Sequence, residues 1–339
     1  MGTYRFFLAF CVLYSHAFGA VLGKNIGVAA VISFFIMSGY VMALLLKKYY
    51  PSLKDTPAFL SDRALRIFPH YLFYILSVLI FATFFAIESD YATDFSWWRI
   101  LANLVILPLN LWTLFKHSIY NPPTWSLALE LTFYLAFPLI WAIGRKGQAL
   151  VFGASVIMAG VAFTGAIDSD YWGYRLLPGT LLFFLAGAAM ATPDKVDARY
   201  PLVVLGLAVA GLIATLSSNY LYHLPYDFEV SAGAIIGIGA IYWLRRMPFM
   251  QFDKVAGDLS YGLFLSHYPT IFVADTLHID RWPFVPVVAL AAAAFSYLAV
   301  ERTALRYRHA MRSTKLKALR PAHSRVANNG AITSPHHSM

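Results

Sequence analysis

The chain is 339 residues long, 59% hydrophobic, 17% aromatic and only 13% charged, about half the charge density of a soluble domain. A mean hydropathy of +0.62 over that length excludes a large water-soluble globule, and recurring apolar runs of about 20 residues, in place of short alternating segments, exclude a membrane β-barrel. The formal charge of +9 does not point to nucleic acid, because the basic residues gather between apolar runs and near the end of the chain, where anionic lipid headgroups attract them by about 1 kcal/mol each.

Hydropathy marks eleven apolar segments, near residues 5–22, 27–46, 69–87, 97–112, 122–143, 149–167, 174–192, 200–217, 228–244, 255–276 and 284–301. The first is read as a spanning helix and not a secretory leader, because Tyr14, Ser15 and His16 interrupt it. It holds Cys11, the single cysteine. With no CxxC or zinc spacing, neither a disulfide nor a metal site is expected.

Basic clusters follow the second segment (Lys47, Lys48, Lys54, Arg63, Arg66), the fifth (Arg145, Lys146) and the ninth (Arg245, Arg246), and eight of the 26 Lys and Arg lie between Arg302 and Arg325. If all eleven segments crossed, these clusters would alternate between the two sides, against the preference of Lys and Arg for cytoplasmic loops. If 97–112 enters and leaves on one side, the basic loops are cytoplasmic, and Glu88, Asp90, Asp94, Asp168, Asp170, Asp227 and Glu229 lie outside. The expected fold is therefore all-α, a polytopic membrane helix bundle of ten transmembrane helices plus one re-entrant or interfacial segment, with both termini cytoplasmic. Arg99, Asn103, Pro108 and Asn110 suit a segment that does not cross, provided its free backbone groups are buried in protein or wet. The membrane domain is expected over 1–309, followed by a basic, disordered cytoplasmic tail over 310–339. His336 and His337 in that tail are read as chance and not as a metal site.

An ionisable residue inside a spanning helix is costly and is a functional candidate by default. His16, Glu130 and His267 all fall near mid-membrane at about 1.5 Å of rise per residue, which suggests one shared site. A carboxylate beside a buried imidazole would tune a general base, the reading favoured for His16 and Glu130, whereas interhelical hydrogen bonding is as good an account of His267. Arg5 and His16 are eleven residues apart and share a helix face. Arg63 and Arg66 are i, i+3 neighbours, a paired fork suited to phosphates or an ordinary positive-inside anchor.

Six motifs occur in one order: R-x10-H (Arg5, His16); Gly27 with FF-x-x-SGY (Phe34, Phe35, Ser38, Gly39, Tyr40); R-x-x-R-I-x-P (Arg63, Arg66, Ile67, Pro69); WSL-x-x-E-x-x-FY (Trp125, Ser126, Leu127, Glu130, Phe133, Tyr134); SY-x-x-x-L-x-H (Ser260, Tyr261, Leu265, His267); and a closing Glu301–Arg302 pair. In these the chain resembles the acyltransferase 3 family of membrane acyl-CoA-dependent acyltransferases, which includes bacterial O-acetylases of surface polysaccharides. The resemblance covers about residues 3–309. It implies an inner (cytoplasmic) membrane enzyme that moves an acyl group, acetyl by default, from cytoplasmic acyl-CoA to a hydroxyl of an exported carbohydrate, with no bound cofactor and no metal. By this resemblance His16, Glu130 and His267 are catalytic, Arg5 binds the donor or supports His16, and Arg63 and Arg66, helped by Lys47, Lys48 or Lys54, bind the donor; Ser126, one turn before Glu130, is placed to orient it. Some relatives append a soluble esterase-like SGNH domain; this sequence shows none, so transfer is expected to be direct or through a separate extracytoplasmic partner. The alternative reading is a proton-coupled transporter or flippase of a lipid-linked or small-molecule substrate, since midplane histidines and carboxylates also build proton relays.

Overall fold

The computed structural model of the chain describes residues 1–87, 89–248 and 251–319. Among them every regular element is helical and no strand forms. In chain order the α-helices are α1 (Gly2–Phe18), α2 (Ile26–Tyr49), α3 (Thr56–Phe84), α4 (Trp97–Val105), α5 (Trp112–Phe115), α6 (Thr124–Ala142) and α7 (Gly144–Phe163). They continue as α8 (Leu177–Ala191), α9 (Tyr200–Ser217), α10 (Asn219–His223), α11 (Asp227–Leu244), α12 (Gln251–Thr276), α13 (Arg281–Ser296) and α14 (Arg302–Leu319). One π-helical turn, Tyr171–Arg175, precedes α8, and another, Tyr297–Glu301, joins α13 to α14.

The chain is an all-α polytopic membrane bundle. Eight helical stretches among the described residues are long and apolar enough to cross a bilayer; α1 has only 17 residues, and the first turns of α12 carry Asp253, Lys254 and Asp258. α2, α6 and α8 bury most of their residues, whereas α7 and α9 bury about a quarter. The outer pair turns Leu150, Ile157, Leu202 and Ile213 outward, a face that suits acyl chains and not water.

Side-chain pairings give the relative directions of the helices. α1 is parallel to α12, since Thr3 bonds Asp253 at one end and His16 meets His267 farther along. α2 is parallel to α8, through Phe35 on Phe184 and Lys47 on Asp194. It is parallel also to α11, through Asn25 on Glu229 and Ser33 on the Gly233 carbonyl. α3 is antiparallel to the α13–α14 run: His70 and Tyr74 reach Ser296, and Asp62 reaches Arg308 and Arg312.

Parallel α2 and α8 require an odd number of traverses between them, and α3, α6 and α7 supply it. The segment between α3 and α6 therefore begins and ends on one side. It is broken into α4, a 3₁₀ turn at Leu107–Asn110 and α5, of nine, four and four residues, each far short of the about 20 that span a bilayer. Its backbone is satisfied by protein, as a non-crossing element requires: Asn103 Nδ2 donates to the Ser118 carbonyl at 2.7 Å, Asn103 Oδ1 accepts from the Tyr120 N–H at 3.0 Å, and the Tyr71 hydroxyl donates to the Asn103 carbonyl at 2.7 Å.

Two boundaries differ from the sequence reading. α3 starts at Thr56, well before 69, because Pro57 sits in its first turn, where the missing N–H costs nothing; hydropathy alone passes over the charged turns around Arg63 and Arg66. The basic tail expected from 310 is helical through 319, the end of α14, where Arg312 and Lys315 pair with Asp62 and Asp55. Glu88, Arg320, Arg325, His336 and His337 lie outside the described residues.

Lipid removes the hydrophobic drive for helix association, so close backbone packing replaces it. The inner crossing of α2 with α8 depends on this: a Cβ on Gly39 would stand 1.8 Å from the Phe184 carbonyl oxygen, and one on Gly187 1.8 Å from that of Ile36. Gly187→Ala is expected to lower the thermal unfolding midpoint in detergent by the equivalent of about 1–3 kcal/mol. Gly153→Ala, where the added Cβ meets nothing within 4 Å, is expected to leave it unchanged. Equal midpoints for the two would contradict a tight α2–α8 crossing.

Candidate active site

The parallel alignment of α1 and α12 brings two sequence candidates into contact. His16 Nδ1 lies 2.9 Å from His267 Nε2, and the two rings are nearly coplanar in orientation, 13° apart. His267 Nδ1 lies 3.3 Å from the Leu263 carbonyl, which can only accept, so Nδ1 carries the hydrogen. In the neutral ring Nε2 then holds the lone pair and accepts from His16 Nδ1–H. His16 Nε2 is left with a free lone pair. The α1–α12 pair is held beyond the histidines by Arg281, which forks onto Asp275 at 2.8 Å through both Nε and Nη2 and donates from Nη1 to the Ala17 carbonyl at 3.1 Å.

Two cavities open beside this pair. The smaller, about 50 Å³, is walled by His16, Asn25, Trp125, Tyr174, Arg175 and Tyr226. The larger, about 410 Å³, is walled by Arg5, Ser38, Arg63, Arg66, Glu130, Tyr134 and residues of α12 and α14. Val31, Ser126 and Phe264 line both, so they form the partition.

Glu130 is therefore not the partner of His16. Ser38 Oγ and the Tyr134 hydroxyl each donate to Glu130 Oε1 at 2.5 Å, and Arg5 lies within Coulombic reach of the carboxylate from the opposite wall. Ser126 does not orient Glu130 either, because its hydroxyl donates to the Pro123 carbonyl at 2.9 Å. Equal depth had suggested one constellation; the two side chains face different chambers.

Arg63 and Arg66 line the large cavity but are not a free fork. Arg63 pairs with Asp62, whose carboxylate also accepts from Arg308 at 3.3 Å and from Arg312 at 3.0 and 2.9 Å. Arg66 pairs with Glu301, and the second Glu301 oxygen lies 3.0 Å from His70 Nδ1. Lys47 is paired with Asp194 and Lys48 lies over Tyr49; neither of these, nor Lys54, lines a cavity. In the large cavity the cations that sequence reasoning missed are Lys254, Arg308 and Arg312. Their signal was the helical spacing of Arg308 and Arg312, which only tertiary packing turns toward α3. Six basic side chains line the large cavity (Arg5, Arg63, Arg66, Lys254, Arg308, Arg312) against three carboxylates (Glu130, Asp253, Asp258), so its field is positive. Burial pushes the Asp253 carboxyl up, but the Thr3 and Gly2 N–H groups and the terminal amine more than offset this and hold it below the usual carboxylate range.

No group of three or more His, Cys, Asp or Glu able to hold a metal ion occurs among the described residues. Residues 3–301 match the acyltransferase 3 family, an acyltransferase domain. The chain belongs to that family. It is 27% identical over 301 residues to the O-acetyltransferase OatA of Staphylococcus aureus, covering 75% of this chain and 47% of the relative, so the chain spans about half the length of that protein. Nodulation protein 10 of Rhizobium leguminosarum bv. viciae is 23% identical over 375 residues, with 92% of this chain and 94% of the relative covered. An uncharacterized protein of Aquifex aeolicus is 28% identical over 166 residues, covering 47% of this chain and 74% of its own. No solved structure matches.

Within this acyltransferase, removing one member of a buried ion pair leaves the other unpaired, which costs about 3–5 kcal/mol. Glu301→Ala is expected to lower the thermal midpoint by that order, since it strands Arg66 and His70. Lys47→Ala, at an exposed pair, is expected to leave it unchanged. An unaltered midpoint in Glu301→Ala would remove Glu301 as the anchor of Arg66.

Proposed function

We propose that this acyltransferase moves a short acyl group, acetyl first among them, from cytoplasmic acyl-CoA to a hydroxyl of a cell-surface or exported carbohydrate. The observation that carries the reading is the free Nε2 of His16 in a small chamber that shares a partition with a large, cation-lined one. A ten-traverse topology in the inner membrane with cytoplasmic termini puts the large chamber, with its α14 arginines, on the cytoplasmic side. The CoA phosphates then meet Arg308, Arg312 and Lys254, and the thioester arm passes Glu130 toward Val31, Ser126 and Phe264. The name of the S. aureus relative supports acetyl and oxygen as donor and acceptor.

In the reaction the acceptor O–H gives its proton to His16 Nε2, and the freed oxygen bonds to the thioester carbonyl carbon. The C–S bond breaks, and the proton returns from the imidazolium to the CoA sulfur. His267 holds the His16 tautomer that makes Nε2 the base. The proton-relay alternative needs Glu130 and His16 joined, and Glu130 bonds Ser38 and Tyr134 instead.

Purified protein in nanodiscs, given acetyl-CoA and a surface-glycan extract, is expected to release free thiol only when both are present. His16→Ala is expected to abolish release while the protein remains folded. Release that survives His16→Ala would sink the assignment.

A cavity of about 50 Å³, at about 10–15 Å³ per water-sized group, has room for an acetyl and not for a long chain. Turnover is therefore expected to fall steeply from acetyl- through butyryl- to hexanoyl-CoA, and Phe264→Ala to flatten that series. A flat series in the wild type would dismiss the partition as a length gate.

A further inference from the structure

The small chamber holds one cation that the sequence reading did not single out. Arg175 closes the π-helical turn ahead of α8 and is only 7% exposed. Its Nε donates to Asp170 Oδ1 at 2.7 Å. Its guanidinium carbon lies 4.5 Å from the Trp112 ring centroid and 4.6 Å from that of Trp125, a cation–π box that holds the group in place. Neither Nη group bonds to another described residue, and the side chain lines the same cavity as His16, within its Coulombic reach. A buried guanidinium that leaves both Nη groups, four N–H donors, unused toward a cavity is poised for a negative charge that arises there. The acyl transfer proposed above generates such a charge there, on the thioester carbonyl oxygen as the acceptor adds.

We propose that Arg175 is a catalytic residue that stabilises the tetrahedral oxyanion formed when the acceptor oxygen adds to the thioester carbonyl. The proposal rests on the acyl-transfer reading above and adds to it the group that carries the developing charge. As the new C–O bond forms, the carbonyl π pair moves onto oxygen and is met by the Nη–H donors. When the C=O re-forms, the C–S bond breaks, and sulfur takes the proton held by His16. Asp170 neutralises the arginine from behind and sets its direction; the π turn places the side chain on the chamber side, as such turns often do at functional sites. The arrangement works as an oxyanion hole built from one side chain in a water-poor site.

The test uses the full chain in nanodiscs with acetyl-CoA and the glycan extract. Arg175→Gln is expected to lower kcat by about 10²–10³-fold, the cost of one such donor set, with the KM for acetyl-CoA unchanged. Guanidinium ion at millimolar concentration is expected to restore part of the rate to Arg175→Ala and nothing to His16→Ala, a response that a purely structural arginine would not show. If Arg175→Gln fails to fold, Arg175→Lys retains the charge beside Asp170 without the fork and is expected to lose about tenfold in kcat. A kcat within threefold of wild type in the folded variant, no guanidinium rescue, or a loss confined to the acceptor KM would each overturn the proposal. Wild type that releases no thiol with any acyl-CoA would instead overturn the acyl-transfer reading and this assignment with it; release by wild type without dependence on Arg175 overturns this assignment alone.

Discussion

The parallel contact between α1 and α12 is the constraint on which the site depends. α1 is short, and its Gly2 is so close to α12 that a Cβ there would stand 1.8 Å from the Asp253 carbonyl oxygen. Arg281 ties the far end of α1 to Asp275. Between these two fixed points the register leaves His16 facing His267, and the Leu263 carbonyl then dictates which nitrogen of each ring carries a hydrogen. A backbone acceptor in one helix thereby decides the chemistry of an imidazole in the next. Without that register the free lone pair of His16 would have no defined direction in the small chamber.

Charge in this bundle is handled by placement more than by neutralisation. Asp62 holds Arg63, Arg308 and Arg312 together, one carboxylate among three guanidiniums, so this rim of the large cavity keeps excess positive charge. Glu301 satisfies Arg66 and faces His70, which lets the closing Glu301–Arg302 motif act as a structural latch between α3 and the α13–α14 run. Removing any one of these groups exposes the cost of a buried, unpaired charge. The same logic explains why the two chambers differ in character. The large one is lined by many paired cations, and the small one has a single arginine with unused donors beside a neutral imidazole pair.

The segment between α3 and α6 shows how the fold tolerates irregular backbone at a membrane. Asn103 takes the place of a helix ladder, bonding Ser118 and Tyr120 while its own carbonyl is bonded by Tyr71. Asn121, just beyond, donates to the Leu265 carbonyl at 2.9 Å and so ties the entry of α6 to α12. Trp112 from the same segment reaches over Arg175. The element that does not cross thus packs against Arg175 beside the small chamber, and is not merely a connection between helices.

Hydropathy and the distribution of Lys and Arg were enough to predict a helical membrane bundle with a non-crossing segment at 97–112, because membrane burial acts on local composition, whereas the family was legible in six short motifs in a fixed order. The candidates His16, Glu130 and His267 were legible because a polar residue inside an apolar run is conspicuous in one dimension, and Arg5, Arg63 and Arg66 through their spacing. Depth, however, is only one coordinate. Which way a side chain faces depends on the rotation of its helix and on close contacts such as those at Gly39 and Gly187, which involve residues about 150 positions apart in the chain. That is why Glu130 was placed with His16 and belongs with Ser38 and Tyr134, why Arg63 and Arg66 were read as a phosphate fork or an anchor and are paired with Asp62 and Glu301, why Arg308 and Arg312 were read with a basic tail, and why Arg175 was not singled out. The sequence by itself determined what must be buried, because hydropathy is a local property; only tertiary packing decided which buried groups meet.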